Sequence, residues 1–226
     1  MAPPLTLRAL REDFDDMVQD ANNAIYYSID WSEEFYVTQA TKGFIAVAID
    51  LRPNLPLLLP ELQHAYAVLR HDRLHVSKKV RKRAKKFRIA LDTRLDQVLD
   101  GIEKAHDSWI IQPYKELIQR LHKPSPVDGK QLRMRSIELI DPMGNLAAGE
   151  VGYTIGAVYT SLSGFVGKHD AQHKGAGTVQ LVALSRLLCE SGYHFLALGH
   201  PPRPATAEME ACMMYKAVRS HFPIHS

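Results

Sequence analysis

The chain has 226 residues, of which 46% are hydrophobic and 23% charged, and its 28 Lys and Arg against 25 Asp and Glu leave a formal charge of +3. This is the composition of an ordinary globular protein, long enough to bury a core without disulfide or metal, and it excludes a histone-like or a strongly acidic chain. Cys189 and Cys212 carry no pairing signature, which suits a reducing compartment and argues against a secreted scaffold or a cysteine-based zinc site.

The first twenty residues lack a continuous apolar core and are acidic, so neither a secretory signal nor a transit peptide is expected. Residues 5–20 read as one short helix, with Leu7, Leu10, Phe14 and Met17 on one face. Residues 31–51 are aromatic and β-branched and run to a turn at Arg52-Pro53-Asn54. The apolar stretch from Phe44 to Leu59 contains Asp50, Arg52 and prolines, so it cannot span a bilayer as a helix. Pro60 is expected to open a helix through Leu62, Tyr66 and Leu69.

Residues 77–88 hold eight basic side chains in twelve positions. Val80, Ala84 and Phe87 share a face at helical spacing, which turns Lys78, Lys79, Arg81, Lys82, Arg83, Lys85 and Lys86 outward. Such density suits a polyanion, because each neutralised phosphate releases counterions; a solvated helix face weighs about equally. Asp92 reads as an N-cap for a helix carrying Leu95, Val98, Leu99 and Ile102 to about His106. A second helix fits Ile111 to His122, stopped by Pro124, and KPSPVDGK at 123–130 is the best internal boundary signal.

Beyond that boundary, 133–140, 149–155 and 157–165 read as strands, Ala176 to Glu190 as a long helix ended by Ser191-Gly192, and 193–198 as another strand. A last helix fits 205–218. Cys189 falls within the long helix and reads as core. Ahead of that helix, Gln172-His173-Lys174-Gly175-Ala176-Gly177 has the form QxxGxG and resembles the pyrophosphate loop of the GNAT acetyltransferases; the bland alternative is a tight strand-to-helix turn. His169 and His173 lie four apart, but Gly167 and Gly175 argue against a helix there, so no metal site is expected. Trp109 is a core anchor or a stacking platform for a base.

Several blocks, in one collinear order, resemble the leucyl/phenylalanyl-tRNA–protein transferases. They are Lys42-Gly43-Phe44-Ile45-Ala46, the stretch from Asp72 to Asp92, Ser108-Trp109-Ile110 with Glu116 and Arg120-Leu121-His122, and Ser136-Ile137-Glu138. They continue through Gly149, Val158-Tyr159, Ser163 and Phe165 to Ala176, Val179 and Leu181-Val182-Ala183-Leu184, and end at Gly192-Tyr193. The resemblance implies a mixed α/β fold, a GNAT-like mixed sheet with flanking helices after a smaller, mainly helical N-terminal domain. The expected division is 1–60 and 61–226. It also implies transfer of Leu or Phe from charged tRNA to a protein N-terminus bearing Arg or Lys. Neither cofactor nor metal is expected, nor a membrane; the chain is expected to be monomeric and cytoplasmic.

Carried over residue by residue, Trp109 holds the terminal adenosine, Tyr159, Ser163 and Phe165 line the pocket, and Lys78, Lys79, Arg81, Lys82, Lys85 and Lys86 hold the acceptor stem. The sequence departs from the family's GESMF and DCQ motifs: Ser161 and Leu162 stand for Gly and Glu, and Ala197 and Gly199 for Asp and Gln. Thr178 stands for the lysine of the family's ASK. Gln180 and His200 are the polar candidates near the reacting ester. Two alternatives stay open: an acyl-coenzyme A N-acyltransferase, carried by QxxGxG, and a tRNA-binding protein without catalysis.

Overall fold

The computed structural model describes residues 2–20, 24–51, 54–63, 65–71, 74–106, 109–123, 125–127, 129–167 and 173–199. The expected helix over 205–218 lies outside them. The chain divides into two compact units, residues 1–64 with 106–134, and residues 65–105 with 135–226. The chain leaves the first unit after residue 64. The chain then returns to the first unit for 106–134, so the helix that opens after Trp109 belongs there.

The first unit begins with α1 (Leu7–Glu12), capped by Thr6, and α2 (Phe14–Gln19). The single helix expected over 5–20 is thus broken at Asp13, which ends α1 by donating its backbone N–H to Ala9. Helix α3 (Glu33–Thr41) starts at Ser32, whose hydroxyl accepts from the N–H of Phe35. Every residue of α3 from Phe35 to Ala40 is buried. After it, β1 (Phe44–Asp50) pairs antiparallel with β2 (Pro56–Leu62). The helix expected from Pro60 is therefore a strand. Pro60 lies opposite Ala46, and its carbonyl accepts from the N–H of Tyr26. A proline without an N–H is tolerated where the partner needs only its acceptor. Helix α6 (Gln112–Leu121) carries Pro113 in its first turn and buries Tyr114, Leu117, Ile118 and Leu121. The short β5 (Ser125–Val127) pairs with the start of β6 (Lys130–Ile140).

The second unit is built on a mixed sheet of β3 (Val68–Arg70), β4 (Arg88–Leu91), β6, β7 (Leu146–Ile155), β8 (Val158–Val166) and β9 (Phe195–Ala197). These strands lie in the order β3-β9-β8-β7-β6-β4. Strands β7 and β8 form an antiparallel hairpin, whereas β8 and β9 run parallel. Residues 147–154 of β7 are all buried, as expected of a central strand covered on both faces. One face carries α7 (Ala176–Glu190). Ile137, Tyr159, Leu181, Leu184 and Leu188 form one core cluster, and Leu139, Ala148, Ala176 and Val179 another. The other face of β7 meets α5 (Leu95–Ala105), whose Val98 reaches Gly149. Helix α4 (Lys78–Ala84) packs on α7.

Two local expectations change. Asp92 adopts a left-handed turn (φ 57°) and accepts from the N–H of Ser136, so it does not cap α5. Glu138, fully buried on β6, instead fixes the turn that leads into α5: it accepts from the N–H groups of Thr93 and Arg94 and from the hydroxyls of Thr93 and Ser136. Cys189 is exposed on the last turn of α7 rather than part of the core. Among the described residues, no helix is long and apolar enough to cross a membrane.

Candidate functional site

The basic run folds as foreseen. Ser77 caps α4 by accepting from the N–H of Val80 at 3.3 Å. Val80, Ala84 and Phe87 pack on the cluster of Leu139, Ala148, Ala176 and Val179. Lys78, Lys79, Arg81, Lys82, Lys85 and Lys86 are left exposed. Arg83 differs from them. It is half-buried, and its guanidinium lies where a Cβ at Gly175 would have to sit. Gly175 (φ 82°) opens α7 without a side-chain cap, so a cation stands beside the N-terminus of a fifteen-residue helix. The spacing of the run had placed Arg83 simply outward.

His173 is held at this corner. Its Nε2 lies 3.2 Å from Asp141, and its ring lies tilted against Phe87 with centroids 6.4 Å apart. Asp141 is held below the usual carboxylate range, chiefly by the N–H of Asn145 and then by the hydrogen bond from His173. Gln172 and His169 lie outside the described residues. Among the described residues, no group of three or more His, Cys, Asp or Glu side chains converges as a metal site.

The polar centre of the second unit lies inside the β7–β8 hairpin. Val151 pairs with Ser163 and Gly152 with Ser161, so Leu162 is an extra, bulged residue. The bulge reverses the alternation along β8. Tyr159 and Ser161 fall on the face of Glu150, while Ser163 and Phe165 fall on the face of Gly149 and α5. The three side chains expected to line one pocket therefore divide between the two faces of the sheet. Tyr159 is a core residue, 1% exposed, whose hydroxyl donates to Glu150 at 3.1 Å. Gly152 makes this possible, since a Cβ there would overlap that hydroxyl.

Glu150 also receives hydrogen bonds from Ser161 and from Gln180 of α7. It is 3% exposed, and burial outweighs these three bonds, pushing its carboxyl up to about 7 from the ordinary 4.5. Gln180 is equally buried, and its Oε1 has no hydrogen-bond partner. Ser161 is half-buried, the part of the group that reaches the surface. Sequence reasoning found Gln180 but not Glu150. The signal available was a lone carboxylate in the apolar stretch Ala147-Ala148-Gly149-Glu150-Val151-Gly152-Tyr153.

Trp109 lies in the first unit. Its ring meets Tyr114 edge-on at 5.7 Å, and Tyr114 is in turn fixed by hydrogen bonds at 2.8 Å with Tyr36 and with the carbonyl of Ala46. Trp109 itself is half-buried, so it is both an anchor and a partly open aromatic surface. His200 lies outside the described residues.

Residues 68–214 match the family model described as leucyl/phenylalanyl-tRNA protein transferase. Over 115 residues the chain is 28% identical to the leucyl/phenylalanyl-tRNA–protein transferase of Maridesulfovibrio salexigens, a match covering 48% of this chain and 45% of that protein. The chain thus spans about half the length of the curated relative it matches. Among solved structures, L-PGS from Bacillus licheniformis aligns with a TM-score of 0.45 at 14% identity, covering 86% of this chain and 57% of that one. FemX aligns with a TM-score of 0.45 at 8% identity, covering 88% and 68%. The family match takes in the basic helix, the bulged hairpin and α7 together, and the chain belongs to the leucyl/phenylalanyl-tRNA–protein transferase family.

Proposed function

We propose that this chain is an aminoacyltransferase that moves Leu or Phe from a charged tRNA to the N-terminus of an acceptor protein beginning with Arg or Lys, an N-degron type of modification. The observation that carries the reading is the family match over 68–214, within which the six exposed cations of α4 and its C-terminal turn lie in one short segment. In this reading Lys78, Lys79, Arg81, Lys82, Lys85 and Lys86 hold tRNA phosphates. Arg83, beside the amide groups that open α7, adds a cation for the same backbone.

Trp109 stacks on the terminal adenosine, with Tyr114 fixing its ring. Ser163 and Phe165 border the aminoacyl side chain. Gln180 works near the ester, and His200 stays a candidate polar group there. The acceptor amine attacks the ester carbonyl, a C–N bond forms, and the C–O bond to the tRNA 3′ end breaks. This exchange is downhill, so orientation and hydrogen bonding supply most of what the protein must add. The charged tRNA is a co-substrate, no cofactor or metal takes part, and the protein acts as a cytoplasmic monomer.

The test is transfer of labelled leucine or phenylalanine from charged tRNA to an Arg-initiated peptide. Product from the wild type, with at least tenfold less from Trp109→Ala, is the expected result. Binding of acetyl-coenzyme A with no aminoacyl transfer overturns it in favour of an acyl-coenzyme A transferase. Salt-dependent tRNA binding with no transfer overturns it in favour of a non-catalytic tRNA-binding protein.

A further inference from the structure

The sequence lacks an acidic residue at Leu162, yet the interior of the same hairpin holds one on the neighbouring strand. Glu150 is buried beneath Ser161, with Tyr159 and Gln180 completing its hydrogen bonds. Burying a carboxyl is costly, and a purely structural position would be filled more cheaply by an apolar side chain. The amide of Gln180 adds a second acceptor, Oε1, buried and without a hydrogen-bond partner. Glu150 has its three donors, and Gln180 Oε1 is left as the one acceptor of the group without a partner, which suits the N–H of an incoming amine. Of these four residues, Ser161 is half-buried and the other three are buried, so Ser161 is the member that reaches the surface.

We propose that Ser161 and Glu150 form a proton relay, in which Ser161 meets the acceptor amine and Glu150 receives the proton behind it. This rests on the aminoacyl-transfer reading. As the amine nitrogen bonds to the ester carbonyl carbon, its proton passes to Ser161 Oγ and the Ser161 hydroxyl proton passes to the Glu150 carboxylate. When the C–O bond breaks, the departing 3′ oxygen takes a proton back along the same path, and Glu150 is a carboxylate again. Nothing is consumed and no further reactant is needed. Ser161 is the group that touches substrate; Glu150 is a positioning residue acting through it.

Burial that lifts the Glu150 carboxyl to about 7 matches it to an α-amino group, which ordinarily titrates near 8. The groups facing Glu150 are Tyr159 and Ser161 from β8 and Gln180 from α7. On the opposite face, α5 presents Val98 to Gly149. The other charges acting on Tyr159 are Arg135 and Asp92, paired at 2.8 Å.

The test is the pH dependence of kcat/KM for transfer from charged tRNA to an Arg-initiated peptide, with wild type, Glu150→Gln and Ser161→Ala. Two groups must lose protons in the wild type, so log kcat/KM rises with a slope of about two below pH 7. In both variants only the amine titrates, the slope falls to about one, and the rate at neutral pH drops roughly 100-fold. A merely structural Glu150 would lower the rate without changing the slope. Unchanged slopes in active variants overturn the relay and leave aminoacyl transfer standing. No product from the wild type overturns both. If Glu150→Gln fails to fold, judged by its melting curve and tRNA binding, Ser161→Ala decides alone.

Discussion

The ring of Phe165 on β8 lies against Gly101 of α5, so closely that a Cβ at Gly101 would overlap it; Gly149 on β7 makes the same room from below. A glycine in the middle of an eleven-residue helix costs about 1 kcal/mol relative to alanine, so its presence has a packing reason. Gly101→Ala is expected to gain that amount in propensity and lose more, about 1–3 kcal/mol, by overpacking against the ring. Urea unfolding should show a net loss. A net gain would mean that Phe165 does not hold the slot in solution, and that its position beside a substrate pocket must be argued afresh.

A second prediction concerns Tyr114. Its hydroxyl joins Tyr36 and the carbonyl of Ala46 inside the first unit, and its ring supports Trp109 and Trp31. Tyr114→Phe keeps the ring but leaves buried polar atoms on Tyr36 and Ala46 without this partner. The expected loss is about 1–3 kcal/mol of stability. In a Trp31→Phe background, where Trp109 alone reports, tryptophan fluorescence should stay unchanged on adding Tyr114→Phe, because the edge contact needs only the ring. A large spectral change with little loss of stability would invert the assignment and make the hydroxyl pair the positioning device for Trp109.

How much of this was legible in the sequence depended on whether a residue's environment left a periodic trace. The helix of α4 was readable because Val80, Ala84 and Phe87 stand at helical spacing among cations, and α7 because its apolar run ends on Ser191-Gly192. Helix α3 left no amphipathic stripe, since Phe35 to Ala40 are buried on every side. Pro60 misled because a proline opening a helix and a proline whose carbonyl serves a neighbouring chain segment look alike in sequence. The pocket residues were read from collinear motifs, but the bulge at Leu162 depends on pairing with β7, which no local pattern records. Glu150 was missed because its partners come from β8 and α7, up to thirty residues away.

Charge reversal on α4 gives a third prediction. Lys82 and Lys86 are exposed and four apart, clear of the face that packs on α7. Lys82→Glu with Lys86→Glu should leave the melting temperature nearly unchanged. If both side chains neutralise phosphates, the slope of log K against log salt for tRNA binding should fall by about two in magnitude. Filter binding at several salt concentrations reads this directly. Weaker binding with an unchanged slope would move the polyanion surface off these two lysines.

The fourth prediction follows from the burial of Glu150 and does not depend on catalysis. Its carboxyl sits at about 7 in the folded protein, against 4.5 ordinarily. Between those values the folded chain holds a proton that the unfolded chain has released, so stability must fall as pH rises. Below the lower value the protonated acid is fully accommodated; above the upper one a bare carboxylate is buried. That difference is on the order of 3 kcal/mol, from about 1.4 kcal/mol per pH unit. Glu150→Gln is neutral throughout and escapes the dependence, although it turns an acceptor into a donor toward Tyr159 and Ser161. The wild type should therefore be the more stable of the two near pH 5 and lose that lead by pH 8. Urea unfolding of both proteins across this range measures the difference. Parallel curves would mean that the carboxyl titrates at its ordinary value, and that water reaches Glu150 beneath Ser161.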